Sequence, residues 1–140
     1  MSKISSRSLS LALMVGLCAA GAAMPSLAAP QKKAAAPAPL ADLSAEQLAN
    51  AERVLTGPQQ CEFSQTVAVD SYEKKAGYFE LQFKGKKYLL APEPTTTGAV
   101  RLEDKKAGIV WIQIANKSML MNAKVGQRLV DECVHPTQKT

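Results

Sequence analysis

The chain has 140 residues, of which 46% are hydrophobic, 21% charged and 5% aromatic, and its formal net charge is +5. This balance is typical of a soluble globular protein and excludes disordered and fibrous classes. The length favours one folded domain over a multidomain enzyme. No apolar run after residue 28 reaches the roughly 18–20 residues that a membrane span needs.

The first 28 residues have the pattern of a secretory signal peptide. Lys3 and Arg7 supply the positive start, an apolar stretch follows over 11–23, and small residues lead to Ala28. We expect cleavage after Ala28 and a periplasmic location. An uncleaved anchor is disfavoured because the apolar stretch is short. Loss of Lys3 and Arg7 lowers the net charge from +5 to +3, which is too small an excess for a nucleic-acid-binding protein.

Cys18 raises the alternative of a lipoprotein. A lipidation signal needs a small residue directly before the modified cysteine, whereas Leu17 stands there. We therefore expect a mature chain with no lipid anchor.

Two cysteines remain after cleavage, Cys61 and Cys133. An even number in an exported chain predicts a disulfide, and its formation would close a loop of about 72 residues. The alternative is a metal site that also uses His135. It is disfavoured because the chain has one histidine and no Cys-x-x-Cys pair. We expect no metal and no other cofactor.

The chain after the signal peptide divides into three parts. Residues 29–41 are rich in Ala, Pro and Lys, which predicts a flexible arm. Residues 42–58 are predicted to form a short helix and turn, and residues 59–140 a β-barrel domain.

The helix is predicted over 45–56. Ser44 and Gln47 have the spacing of a capping box at its start. Gly57 and Pro58 are expected to end it.

From Cys61 onward the hydrophobic period changes to two, which predicts strands. In the first strand, Cys61, Phe63, Val67 and Val69 fall on one face. Prolines at 92 and 94 are expected to stop the third strand. The predicted strands are 61–70, 78–84, 87–91, 99–103, 109–115, 118–121 and 127–133.

The connections between these strands are too short for helical crossovers, so the sheet must be antiparallel. Small antiparallel proteins protect their edges by closing into barrels or stacking as sandwiches. We therefore predict an all-β fold, an antiparallel barrel or sandwich of seven or eight strands. A disulfide from the first strand to the last agrees with barrel closure.

Catalytic groups are sparse. His135 is followed by proline beyond the last strand and is predicted to be an exposed tail residue, unsuited to a catalytic triad. Two adjacent carboxylate pairs occur, Glu103-Asp104 and Asp131-Glu132. Neighbours on a strand point to opposite faces, so neither pair is expected to converge as glycoside hydrolysis requires. The prediction is a protein that is not an enzyme.

Pairs of lysines occur at three predicted turns. We expect them to be there because the tips of hairpins are exposed to solvent, and lysines near strand edges also discourage pairing with other chains. Export makes a nucleic-acid partner improbable. Met119 and Met121 flank Leu120, and they indicate either core packing or an exposed patch for a partner.

The second half of the chain resembles the small exported inhibitors of c-type lysozyme. Thr97-Gly98-Ala99-Val100-Arg101 matches the family's Ser/Thr-Gly-Ala loop, and Val110-Trp111 matches its aromatic strand. Gly126 leads to Leu129 and Cys133 at nearly the family's spacing. The resemblance covers about 61–133 and implies a β-barrel tied by a disulfide.

The family inhibits lysozyme by inserting a loop hydroxyl group and a strand lysine into the catalytic cleft, where both meet the carboxylates. Here Arg101 replaces the loop's tyrosine, and Gln113 stands at the lysine position. The resemblance therefore implies a partner-binding site at Thr97, Gly98, Arg101, Gln113 and Lys117, with Arg101 or Lys117 as the cation.

Two functions follow as the main hypotheses, and a small envelope enzyme is a third, for which the sequence offers no catalytic residue. The leading one is a periplasmic, non-enzymatic protein that occludes the cleft of a c-type lysozyme. The alternative is a periplasmic barrel that binds peptidoglycan or an envelope protein, through its turn lysines and methionine cluster, with no inhibitory role.

Overall fold

The computed structural model describes residues 38–138; the predicted signal peptide and most of the predicted arm lie outside this range. In this part of the chain, a helix, α1 (Ala45–Ala51), precedes eight strands. The strands are β1 (Gly57–Gln60), β2 (Thr66–Ser71), β3 (Phe79–Phe83), β4 (Lys86–Glu93), β5 (Val100–Asp104), β6 (Ile109–Gln113), β7 (Ser118–Asn122) and β8 (Gln127–Cys133).

The eight strands form one antiparallel sheet in sequential order, β1 to β8. The two outer strands meet where Gln60 and Val134 exchange backbone hydrogen bonds of 2.8 and 3.3 Å. Beside this bridge, Cys61 and Cys133 form a disulfide with an S–S distance of 2.03 Å. The predictions of an all-β antiparallel fold and of this disulfide are confirmed, and the sheet is a nearly closed barrel.

The core fills the barrel from alternate positions of successive strands. In β3, for example, Phe79, Leu81 and Phe83 are buried while Gln82 faces solvent. This alternation is the one that the sequence predicted. The largest fully buried side chain is Trp111 in β6.

Helix α1 begins as predicted and ends earlier. Ser44 and Gln47 form the full capping box, which satisfies backbone donors at the helix start. The helix ends at Ala51 because the backbone of the following residues turns away to bind Gln113 of β6. Gly57 and Pro58, predicted to end the helix, instead begin β1.

The first predicted strand, 61–70, was placed too early. A short 3-10 turn occupies Glu62–Ser64, and the strand starts at Thr66. Phe63 was expected inside, but it has a left-handed backbone (φ 52°) and is 84% exposed. The chain turns here because the disulfide and a 2.8 Å hydrogen bond from the Asp131 N–H to the Glu62 carboxylate hold this corner against β8.

The sequence predicted that Pro92 stops the third strand. In the structure, Pro92 lies buried within β4. Its register partner is Leu102 of β5, whereas pairing with β3 ends at Leu90. The missing N–H of Pro92 therefore costs no hydrogen bond to β3.

The connections between strands alternate between the two ends of the barrel. The segments 72–78, 94–99 and 114–117 lie at one end, called the Thr97 end. The segments 61–65, 84–85, 105–108 and 123–126 lie at the other, called the Lys84 end. Over residues 38–138, no helix has both the length and the hydropathy to cross a bilayer.

Candidate binding site at the Thr97 end

The loop that joins β4 to β5 projects at the Thr97 end. Thr96, Thr97 and Gly98 are exposed, and Gly98 has a positive φ of 78°, a conformation that glycine adopts without steric cost. The hydroxyl group of Thr95 donates a 2.6 Å hydrogen bond to the carbonyl oxygen of Ala99. This bond closes the base of the loop, so its tip presents the Thr97 side chain to solvent.

Arg53, just after α1, lies against the same loop. Its guanidinium group donates a hydrogen bond to the carbonyl oxygen of Gly98 and another, at 3.5 Å, to Asn50 Oδ1. Arg53 is exposed and has no ion-pair partner among the described residues. A cation therefore lies against this loop at Gly98, the residue after Thr97.

Arg53 was missed by the sequence reasoning. It stands 45 residues before Gly98, and nothing local distinguishes it from any arginine near the end of a helix. Only the docking of α1 on the barrel brings the two residues together.

Gln113 has an internal role. It is only 8% exposed, its Oε1 accepts a 2.9 Å hydrogen bond from the Leu55 N–H, and its Nε2 donates one of 3.0 Å to the Arg53 carbonyl oxygen. These two bonds fix the chain between α1 and β1. With Gly98 and Arg53, Gln113 lines a shallow depression of about 240 Å³. Its amide positions Arg53 and is not free to bind a partner.

Arg101 points to the outside of the barrel. It stands next in sequence to Val100, the register partner of Gln113, so the side chains of Arg101 and Gln113 lie on opposite faces of the sheet. Its guanidinium group is paired with Glu103 at 3.2 Å.

Lys117 lies in the turn between β6 and β7 and is held by two carboxylates. It is ion-paired with Glu132, and Asp131 Oδ1 lies 3.5 Å from its Nζ. The hydrogen bond with Glu132 raises the pKa of Lys117 above its ordinary value. Of the five predicted site residues, Gly98 and Gln113 line the same depression and Thr97 adjoins Gly98 in the loop, whereas Arg101 and Lys117 are held in ion pairs.

Asp131 and Glu132 both lie close to the ammonium group of Lys117. This contradicts the prediction that two adjacent carboxylates on a strand point to opposite faces and cannot converge. The reason is a bulge in β8, where Glu132 has a φ of 51° and the register with β7 shifts. The Glu132 N–H donates a 2.7 Å hydrogen bond to Asp131 Oδ1. This bond, aided by Lys117 and Arg128, lowers the pKa of Asp131 although burial opposes the shift.

The sequence predicted that His135 is an exposed tail residue, but the structure shows this residue half-buried. Its Nε2 lies 3.0 Å from the Thr56 carbonyl oxygen, so this nitrogen carries the proton and donates. Its Nδ1 accepts a 3.2 Å hydrogen bond from the Thr137 N–H. Within residues 38–138, no cluster of His, Cys, Asp and Glu has the arrangement of a metal site.

Comparison of the chain with family models, curated proteins and solved structures found no match. The resemblance to lysozyme inhibitors therefore remains a prediction from the residues at 97–101, 110–111 and 126–133.

Proposed function

We propose that this chain is an exported, non-enzymatic binding protein of the periplasm that inserts its β4–β5 loop into the cleft of a c-type lysozyme. The observation that carries the proposal is the hydrogen bond from the Arg53 guanidinium group to the carbonyl oxygen of Gly98, the residue directly after the exposed Thr97.

The chemistry of the target supports this choice. Glycosidases of this kind place two carboxyl groups across their cleft. A hydroxyl group next to a cation can give those carboxyl groups charge-assisted hydrogen bonds, and a guanidinium group can bind one carboxylate through two parallel bonds. In this proposal Arg53 is the cation, because Arg101 and Lys117 are already paired with carboxylates of their own chain.

Two further features support export. Residues 1–28 have the composition of a signal peptide. The disulfide between Cys61 and Cys133 is of the kind that persists in oxidising compartments such as the periplasm.

The direct test is inhibition. The mature, oxidised chain is titrated into a cell-lysis assay of a c-type lysozyme, at low and at physiological salt. We expect saturable inhibition at near-stoichiometric protein. An absence of inhibition at large excess under both conditions contradicts the proposal.

Matched variants then locate the binding surface. Thr97→Val removes the hydroxyl group and keeps the shape, and Thr96→Val is its control on the same loop. Arg53→Gln removes the charge, and Lys74→Gln is its control at another exposed site. We expect Thr97→Val and Arg53→Gln each to weaken inhibition about tenfold or more, since each removes a hydrogen bond to a charged group. Equal effects in the control variants would place the site elsewhere.

The alternative, an envelope-binding barrel without inhibitory activity, is favoured by a different surface. Met119 and Met121 lie half-buried on the outer face of β7, next to Ile112 and Val110 of β6, while Leu120 faces the core. This arrangement predicts that a Met119→Ser/Met121→Ser variant loses binding to purified sacculi that the parent protein shows. Retained binding in the variant would remove this surface from consideration.

A further inference from the structure

The barrel is incompletely closed at the Lys84 end. The last strand, β8, meets β1 only at the bridge between Gln60 and Val134 within the described residues. Its first residues, including Arg128 and Leu129, therefore have a strand on one side only. The hairpin of β3 and β4 faces this open edge, and a cleft of about 310 Å³ lies between them.

Basic groups surround this cleft. Lys84 and Lys86 come from the hairpin and Arg128 comes from β8. Both lysines are exposed, and neither is ion-paired within the described chain. Arg128 is paired with Asp131 at 2.7 Å through one of its nitrogens, which leaves further donors on its guanidinium group. No carboxylate is among the described residues that line the cleft.

The floor of the cleft is apolar. Tyr88 and Leu129 line it and pack partly buried against the barrel core. Phe83 is 6% exposed, and Lys84 Nζ lies 5.2 Å from the centre of its ring. The cleft therefore combines a cationic rim with an aromatic and aliphatic base.

The hairpin turn directs Lys84 to this rim. Lys84 and Gly85 both have positive φ angles, of 48° and 73°, as in the two-residue turns that suit twisted strands. Asparagine is favoured over lysine at the first of these positions. Lysine thus supplies a charge at a position where local backbone preference favours a different residue.

We propose that this cleft binds a phosphate group attached to an organic body, either a phosphorylated sugar or the headgroup of an anionic phospholipid. Two lysines without ion-pair partners match the double negative charge of a phosphate monoester, and with the remaining donors of Arg128 they can also hold the two charged oxygens of a lipid phosphodiester. The organic body lies against Tyr88 and Leu129. This site lies at the opposite end of the barrel from the Thr97 loop. The proposal of a phosphate site is therefore independent of the proposal of lysozyme inhibition.

The first experiment is a titration of the isotope-labelled mature protein, followed by NMR, with glucose 6-phosphate and separately with inorganic phosphate. We expect saturable shifts of the backbone amides of Lys84, Lys86 and Arg128. Glucose 6-phosphate is expected to bind more tightly than inorganic phosphate, because it also contacts the apolar base. An oligoglutamate peptide that binds equally well would overturn the assignment to phosphate.

The second experiment separates the two sources of the phosphate group. The protein is sedimented with vesicles of phosphatidylglycerol and with vesicles of phosphatidylcholine. Binding to the anionic vesicles alone, without saturable binding of glucose 6-phosphate, identifies a lipid headgroup. The reverse result identifies a soluble ligand. Failure of both probes overturns the proposal.

A charge-matched pair of variants tests the location. Lys84→Asn/Lys86→Gln removes both lysines and places the favoured residue in the turn, so we expect this variant to fold. Lys74→Gln/Lys106→Gln removes the same charge from exposed positions outside the cleft. We expect the first variant to weaken binding about tenfold or more and the second to change it little. An equal loss in both would show attraction by overall charge and would overturn the proposed site.

Discussion

The side-chain amide of Gln113 in β6 donates a hydrogen bond of 3.0 Å to the backbone carbonyl oxygen of Arg53. The same amide accepts a bond from the N–H of Leu55. A strand residue thus fixes the chain that leaves the helix, and this chain carries the guanidinium group that reaches Gly98. In the resemblance to lysozyme inhibitors, Gln113 stands where a partner-binding lysine is expected. Here its amide binds only its own chain.

This relationship predicts a stability defect for Gln113→Leu. The substitution keeps the volume and leaves the Leu55 N–H and the Arg53 carbonyl oxygen without their partner. Since an unsatisfied polar group costs roughly 1–3 kcal/mol, we expect the free energy of unfolding to fall by about 2 kcal/mol. Denaturant unfolding measures it. Gln82→Leu, at an exposed position of β3, is the control; an equal loss there would contradict the role assigned to Gln113.

The disulfide is predicted to provide a large share of the stability. Cys61 and Cys133 are 72 residues apart, and closing a loop of that length lowers the entropy of the unfolded chain by an equivalent of roughly 4 kcal/mol. We expect reduction to lower the melting temperature markedly. The double variant Cys61→Ser/Cys133→Ser should melt at the lower temperature with or without reductant. Unchanged melting after complete reduction would argue against a closing role for the bond.

Acidic pH is predicted to remove the contribution of Asp131 to the free energy of unfolding. The pKa of this carboxyl group is lowered in the folded state, first by the Glu132 N–H and then by Lys117 and Arg128. A lowered pKa means that the stabilisation is present above the unfolded value, about 3.9, and is lost as the pH falls through the lower folded value. The stability of the parent protein relative to Asp131→Asn should therefore be greatest near neutral pH and shrink below about pH 4.

Denaturant unfolding between neutral and strongly acidic pH measures this difference. The control is Asp70→Asn, an exposed carboxylate with no ion pair within the described chain. A difference between parent and Asp131→Asn that stays constant down to low pH would show that the charge of Asp131 is not what stabilises the bulge.

Gly77 is predicted to be needed for docking of α1. It has a φ of 82°, and a Cβ atom there would lie 2.6 Å from Leu43 Cδ1 and 2.8 Å from Leu48 Cδ2. Gly85 has a similar φ of 73° with open space around it. Both Gly→Ala changes therefore carry the backbone cost, roughly 1–2 kcal/mol, and Gly77→Ala also displaces the two leucines.

We expect Gly77→Ala to lower the free energy of unfolding by about 1 kcal/mol more than Gly85→Ala does. Faster hydrogen exchange in residues 45–51 should accompany it. The prediction is contradicted if both variants lose the same free energy of unfolding and the amide hydrogens of α1 exchange at the same rate as in the parent protein. In that case, the packing of Leu43 and Leu48 does not depend on a glycine at position 77.

The sequence by itself determined the fold class and the inward-facing positions. Alternation in segments such as 79–83 predicted buried residues because successive side chains of a strand point to opposite faces. The Ser44–Gln47 capping box was predictable because its two hydrogen bonds join residues three apart. The disulfide was predictable because two cysteines remain if residues 1–28 are removed as a signal peptide, and an even number of cysteines in an exported chain favours pairing.

The tertiary structure decided the rest. Arg53 meets Gly98, Gln113 turns inward to Arg53, and Asp131 and Glu132 converge on Lys117, each through contacts between distant segments or a bulge in the sheet. Phe63 faces solvent because the corner beside it is held by β8. Local periodicity specifies which face of a strand is buried. Which side chains meet across the molecule depends on strand register and barrel closure, and these are set by the packing of the whole chain.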